Sequence, residues 1–314
     1  MSDRDSSNDL KLRLGTRRSP LAMAQAFETR ERLCVAHGWR EDQVELVPVL
    51  ASGDKIKDRP LADIGGKALW TKELDAWLAE GRIDVAVNSL KDVETERPAE
   101  LTIGAILPRA DVRDVLLGAS SIRAIPRGAK VGTSSPRRAA QMLNARPDLE
   151  IVGFRGNVAT RMAKLAAGEA DITLLAAAGL ERLGETGVGT PLEVSEWPPA
   201  ASQGAIGLEC RSGDKATLDL LAPLDDADTR AQVLAERAFL LALGGTCHSP
   251  VAAHAAGGQD GVTLTAILFS PDGASKICGS ASFAGGDNIA PAELAAKLLG
   301  EAPANITDVF KGAD

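Results

Sequence analysis

The chain has 314 residues, more than one hydrophobic core usually supports, with 45% hydrophobic and 25% charged residues, an ordinary soluble globular composition. A net charge of −8, 3% aromatic residues and no Tyr argue against a nucleic-acid surface, which is more often basic and supplies stacking rings. No apolar run approaches the roughly 18 residues of a membrane span. The start, "MSDRDSSNDLKLRLG", lacks the apolar stretch of a leader, so a protein without membrane contact is expected.

From residue 10 to residue 210, strand-like and helix-like segments alternate. "LKLRLGT" (10–16) alternates apolar and polar as a strand does, and "SPLAMAQAFETRERLCVAHG" follows as a helix with Ser19 as N-cap and Pro20 at its first position. "VELVPVL" (44–50) is the next strand. "KALWTKELDAWLAEG" (67–81) carries Leu69, Trp70, Leu74, Trp77 and Leu78 at helical spacing and closes on Gly81. "IDVAV" (83–87) reads as a buried strand running into "NSLKDVE" (88–94).

The same alternation returns in "AKVGT", the helix "SPRRAAQMLNA", "LEIVGF", the helix "NVATRMAKLAAGE" capped by Asn157, and "DITLLA" (171–176). "AIGLEC" (205–210) is a further strand, and the long helix "DTRAQVLAERAFLLALGG" (228–245) ends in glycines. Beyond it, "VTLTAILFSPDGASKICGSASF" predicts two strands around a Pro-Asp-Gly turn, and "PAELAAKLLGE" a last helix. The pattern is that of an α/β protein with mostly parallel sheets, followed by a small α+β domain from about residue 225.

Charge is unevenly spread. Between Arg123 and Arg161 eight basic residues face two acidic ones on an otherwise acidic chain. Three helix starts carry arginine: "TRRSP" (16–20), "SSPRRA" (134–139) and "FRGNVATR" (154–161). Unpaired N–H groups at a helix N-terminus favour an anion, and a guanidinium adds a planar fork that matches a carboxylate or phosphate. A solvated arginine face is the alternative. "GGK" (65–67) lacks the earlier glycine of a Walker loop, and no GxGxxG follows the first strand, so a small polycarboxylate or phosphorylated ligand is favoured over a nucleotide.

Two further stretches carry chemistry. The end of "IDVAV" delivers Lys91 and Asp92 to the carboxyl edge of a sheet, where ligands bind in α/β folds. A carboxylate beside a lysine stays ionised and can stabilise a cation or accept a proton; an exposed loop pair is the plainer reading. "GGTCHSPVAAHA" (244–255) sets Cys247 beside His248. The four cysteines (34, 210, 247, 278) are widely spaced with no CxxC pairing, which favours reduced thiols in the cytoplasm and matches no zinc spacing. A thiolate nucleophile is disfavoured just past a helix C-terminus, leaving a buried structural cysteine open.

Taken together, the motifs resemble one family, porphobilinogen deaminase (hydroxymethylbilane synthase), from about residue 10 to the last helix. "LRLGTRRSPLAMAQA", "PLADIGGKALWTKELD", "NSLKDV", "VGTSSPRRAAQ", "FRGNVATR", "AAAGLERLG", "PAASQGAIGLECR" and "GGTCHSPVAAHA" occur in the family's order. The resemblance implies two periplasmic-binding-protein-like α/β lobes joined by a double crossover, residues 10–107 with 202–224 and residues 108–201. It also implies a small C-terminal α+β domain, 225–314, that bears the cofactor. The implied enzyme is a cytoplasmic, monomeric transferase of tetrapyrrole (porphyrin and haem) biosynthesis, with a small-molecule substrate and neither nucleic-acid nor membrane partners. It joins four porphobilinogen molecules into hydroxymethylbilane, releasing ammonia, and extends a dipyrromethane cofactor held by a thioether at Cys247.

By the same resemblance Asp92 is catalytic, stabilising the azafulvenium cation left by ammonia and helping to remove a proton. Lys91, Ser135, Arg137, Arg138, Arg155, Asn157 and Arg161 bind the cofactor; Arg17, Ser19, Arg155, Arg161 and Arg182 bind substrate; no metal is implied. The sequence departs from the family at four positions. Asn88 stands where histidine is usual and cannot titrate. Thr246 replaces the glycine before the cofactor cysteine, so a positive φ there would be strained. Ser202 replaces a glycine before Gln203, and Pro136 a usually aliphatic residue.

Overall fold

A computed structural model describes residues 10–49, 71–246 and 249–310 of the chain. Its first sheet contains β1 (Leu12–Arg17), β2 (Val44–Val49), β3 (Val85–Ser89), β4 (Leu101–Ile106) and the late strand β10 (Ile206–Arg211), in the order β2-β1-β3-β10-β4. The first three strands run parallel, with Leu14 opposite both Leu46 and Val85. The returning β10 is antiparallel to both neighbours and sets Gly207 opposite Asn88. The second sheet repeats the plan with β5 (Asp114–Leu117), β6 (Lys130–Gly132), β7 (Glu150–Val152), β8 (Ile172–Ala176) and β9 (Thr190–Pro191), ordered β7-β6-β8-β5-β9. In each sheet a single strand, β10 in the first and β5 in the second, runs against both of its neighbours, and the chain passes from the first sheet to the second and back. The expected fold class, α/β with a double crossover and a small C-terminal α+β unit, is the one observed.

Local chemistry explains the helices beside the site. α1 (Pro20–His37) starts where the Ser19 hydroxyl accepts from Ala22 N at 3.3 Å, and ends at Gly38, whose φ of 65° permits the left-handed cap. α2 (Lys72–Ala79) is the described part of the helix predicted over 67–81, whose residues 67–70 lie outside the described residues, as does the end of the strand predicted over 44–50. α3 (Pro136–Ala145) and α4 (Val158–Ala166) begin at Ser135 and Asn157, whose side chains accept from Arg138 N and Thr160 N. α5 (Ala177–Arg182) and α6 (Lys215–Leu221) come from segments without a clear period.

The third sheet is an antiparallel meander of β11 (Val251–Gly258), β12 (Gly261–Phe269) and β13 (Lys276–Phe283), covered by α7 (Ala227–Ala242) and α8 (Ile289–Glu301). The sequence predicts two strands here. β11 is the addition, an Ala- and Gly-rich strand of poor intrinsic propensity. Its small side chains suit a close neighbour: Ala253 and Ala255 are fully buried in one core with Phe239 of α7. α7 also reaches outward, since Val233 packs with Leu90, Val93, Ile106 and Ala205 of the first sheet. On another side, Ala252 and Phe269 pack on Ala140 of α3. Among the described residues no helix is long and apolar enough to cross a membrane.

Candidate active site

β3 is buried along its length, so its carboxyl end can place side chains with little freedom. Ser89 leads into a 3-10 turn, Leu90–Asp92, closed by Val93 N donating to Leu90 O at 3.3 Å. Leu90 is buried against Gly207 of the neighbouring β10, where a Cβ would stand 2.3 Å from the leucine Cδ2. That close approach requires glycine and seats the turn on the sheet. Asp92 then faces a pocket lined also by Arg17, Ser19, Gln25, Thr71 and Asn88. Arg17, Ser19 and Asp92, predicted separately, thus meet.

The second sheet supplies cations opposite them. Burial pushes Lys91 down to about 8, further lowered by Arg138 and Arg137 and partly offset by Asp92 and Asp114. Burial likewise lowers Arg161 to about 10, with Arg138 adding to the shift and Asp92 opposing it. Residues from the ends of β3 and of α3 and α4 therefore share one electrostatic site. Arg155 is half-buried just before α4, Ser135 is half-buried, and Asn157 is exposed while capping its helix.

Arg137 and Arg138 sit at the predicted helix start, yet they do not line the cleft as free cations. They are 3% and 5% exposed, and both turn inward onto Asp114. Arg137 Nη2 donates to its Oδ2 at 2.9 Å, while Arg138 donates from Nη2 to Oδ1 at 2.6 Å and from Nη1 to Leu174 O at 2.8 Å. Trp197 Nε1 and Gln203 Nε2 complete the carboxylate's shell at 3.0 and 2.9 Å. Burial by itself would raise the Asp114 carboxyl, but the two guanidinium groups hold it well below the usual carboxylate range. The cluster keeps one surplus positive charge, and Arg137 Nε is buried without a hydrogen-bond partner. Arg182 is also engaged: it donates to Glu28 Oε2 of α1 at 3.3 Å and to Gly204 O at 3.2 Å, linking the two lobes.

Asn88 is 6% exposed and donates from Nδ2 to Glu209 Oε2 at 2.8 Å. Glu209 is fully buried, which holds its carboxyl above the ordinary range despite Arg97, whose Nε donates to Oε1 at 2.7 Å. Thr246 does not adopt a positive φ; among non-glycine described residues that conformation falls on Ser202, at 61°. The strain anticipated at Thr246 therefore lies at the return crossing. Thr246 N donates to Ser249 Oγ at 3.1 Å, and Ser249 N to Thr246 O at 3.0 Å. Cys247 and His248 lie outside the described residues, as do the loop near 52–62 and the "GGK" stretch. Among the described residues, no group of three or more His, Cys, Asp or Glu side chains could hold a metal ion.

Sequence reasoning missed Asp114, Glu209 and Gln25. The basic surplus of 123–161 hinted that a buried counter-ion was needed, but nothing local marked Asp114 as the one. Gln25, 3% exposed, meets Ser89 Oγ at 2.8 Å across the pocket wall.

The family model described as "Porphobilinogen deaminase, dipyromethane cofactor binding domain" matches residues 12–219, and "Porphobilinogen deaminase, C-terminal domain" matches 230–302. A relative named porphobilinogen deaminase, from Sphingopyxis alaskensis, is 56% identical over 96% of this chain and 97% of its own length. A chloroplastic one from Oryza sativa subsp. japonica is 49% identical over 83% of this chain and 75% of its own. Among solved structures, a periplasmic substrate-binding protein of an ABC transporter from Coxiella burnetii matches with a TM-score of 0.41 at 15% identity, covering 68% of this chain and 92% of that one.

Proposed function

This chain belongs to the porphobilinogen deaminase family, and on that premise we propose that it is a transferase condensing four porphobilinogen molecules into hydroxymethylbilane with release of ammonia. The observation that carries the reading is the meeting of Asp92 with its neighbour Lys91 in the turn after β3 and with Arg161 of the opposite lobe, at the mouth of a pocket that Arg17 and Ser19 also line. Three units are assigned: 10–107 with 202–224, 108–201, and 225–314. The enzyme works as a cytoplasmic monomer on a small-molecule substrate, without nucleic-acid or membrane partners. The described cysteines 34, 210 and 278 are free thiols, in keeping with a reducing compartment.

The residues present fit a dipyrromethane cofactor. Lys91 and Arg161, both held below their ordinary pKa, and the orphaned Nε of Arg137 make a site short of negative charge. Carboxylates supply that charge. Held by a thioether at Cys247, the cofactor would supply the free pyrrole carbon to which the first unit is joined, each later unit joining the one before it. Lys91, Arg155 and Arg161 would take its carboxylates directly. Arg137 and Arg138 act from below the surface through their surplus charge, with Ser135 and Asn157 as polar contacts at the two helix starts. Arg17, Ser19, Arg155, Arg161 and Arg182 hold the carboxylates of incoming porphobilinogen. Asp92 stabilises the cation that develops on that substrate as ammonia leaves, and accepts the proton afterwards.

The test is the intact mass of the purified protein and of Cys247→Ser. An adduct of two linked pyrrole units on the wild-type chain, missing from the variant, is expected. A bare chain that stays bare after incubation with porphobilinogen would overturn the assignment.

A further inference from the structure

Helix α7 carries a buried cation that the reaction scheme does not use. Arg237 is 6% exposed, and its guanidinium fans out over backbone carbonyls of the catalytic turn. Nη1 donates to Val93 O at 3.1 Å and Leu90 O at 3.4 Å; Nη2 donates to Glu94 O and to Thr95 O at 3.4 Å. One side chain thus holds carbonyls on both sides of Asp92. One helical turn earlier, Val233 packs against Leu90 and Val93 from the same face of α7.

We propose that Arg237 is a positioning residue for the reaction, fixing the turn that aims Asp92. This rests on the reading of Asp92 as the catalytic carboxylate. The described contacts of that carboxylate are electrostatic, with Lys91 and Arg161, so its place follows the backbone of its turn. That backbone is pinned from below by Leu90 on Gly207 and from behind by Arg237. No other side chain combines what is required here: a permanent charge, planarity and five donors in a fixed fork. Burial of the guanidinium is costly; Glu209 and Glu94 offset part of the cost electrostatically and Arg97 opposes them. A buried cation whose hydrogen bonds go to carbonyls is poor value for stability alone. Its return lies in geometry, because a shift of about 1 Å at a reacting group costs about 10²-fold in rate. α7 ends at Ala242, five positions before Cys247 in the sequence, so one helix both braces the catalytic turn and leads the chain toward the cofactor cysteine.

The experiment compares Arg237→Gln, Arg237→Lys and Asp92→Asn as cofactor-loaded proteins checked by intact mass, reading kcat and KM together with hydrogen exchange of residues 90–95. For Arg237→Gln, kcat is expected to fall about 10²-fold with KM held within about threefold. Exchange at 90–95 should quicken while β1 and β6 keep their protection. Arg237→Lys should recover part of kcat, because an ammonium reaches some of the carbonyls but cannot fan across them. If the glutamine variant does not fold, the lysine variant decides by the same split of kcat from KM. Unchanged kcat, a loss confined to KM, or unaltered exchange at 90–95 overturns the positioning role. An inactive Asp92→Asn beside a fully active Arg237→Gln overturns this inference alone; an active Asp92→Asn overturns the reading of Asp92 and this inference with it.

Discussion

Lys91 is under two opposed demands. As a ligand for carboxylates it must be charged, yet burial and the neighbouring Arg138 and Arg137 draw its pKa from 10.5 to about 8. A bound carboxylate reverses the shift, so anion binding and protonation of Lys91 are linked. kcat/KM is therefore expected to fall as pH rises through about 8 on the lysine's account, and Lys91→Arg should remove that alkaline limb because guanidinium does not titrate there. Superimposable profiles would release Lys91 from carboxylate binding. For stability the sign is opposite to that of a salt-bridged lysine. The folded pKa lies below the unfolded one, so the ammonium destabilises the empty fold below about 8, and the deficit fades between about 8 and 10.5. Cys247→Ser should thus gain stability in alkali relative to its Lys91→Met derivative. Lys91 and Asp92 stood out in the sequence because a strand end exposes its next residues. Glu209 and Arg237 did not, since their partners lie 121 and 144 positions away, at Asn88 and Val93.

At the scale of elements, caps were readable because they are local: Ser19, Ser135 and Asn157 each bond a backbone N–H three residues on. Where the arginines of α3 point was not, because their partner arrives on another strand. Arg137 and Arg138 share Asp114, the first residue of β5, so the start of α3 and the edge of β5 stand or fall together. Replacing this carboxylate leaves two buried guanidinium groups with an amide in place of their counter-ion. Asp114→Asn is expected to lose about 3–5 kcal/mol in urea unfolding. Since the Asp114 pKa is depressed, its contribution is complete at neutral pH and fades only in strong acid, as pH falls below the ordinary carboxylate range. A midpoint unchanged by the substitution would show that the arginines find other partners. β11 escaped the sequence reading for a similar reason: alanine and glycine carry no strand signal, and pairing with β12 under α7 decides the conformation.

The lobes, their crossings and the third sheet meet at one carboxylate. Glu236 of α7 is fully buried and accepts from Arg109 on the outward crossing, Nη1 at 2.8 Å and Nη2 at 2.9 Å. The same side chain accepts from Ser202 N on the return crossing at 2.5 Å and from Ala255 N of β11 at 2.8 Å. Both oxygens are thus saturated by donors from three separate parts of the chain. Ser202 is held there in a left-handed conformation that glycine would adopt more easily. Glutamine at 236 is nearly isosteric but brings an NH2 group where the surroundings offer only donors, and it removes the counter-charge of buried Arg109. Glu236→Gln should therefore destabilise the protein by about 3–5 kcal/mol, more than a surface ion pair could. Because both crossings lose an anchor at once, proteolytic cutting near residues 108–112 and 199–204 should quicken beyond what the global loss of stability explains. Cutting that merely tracks the unfolding free energy would mean that Glu236 holds the fold as a whole and not the passage between its lobes.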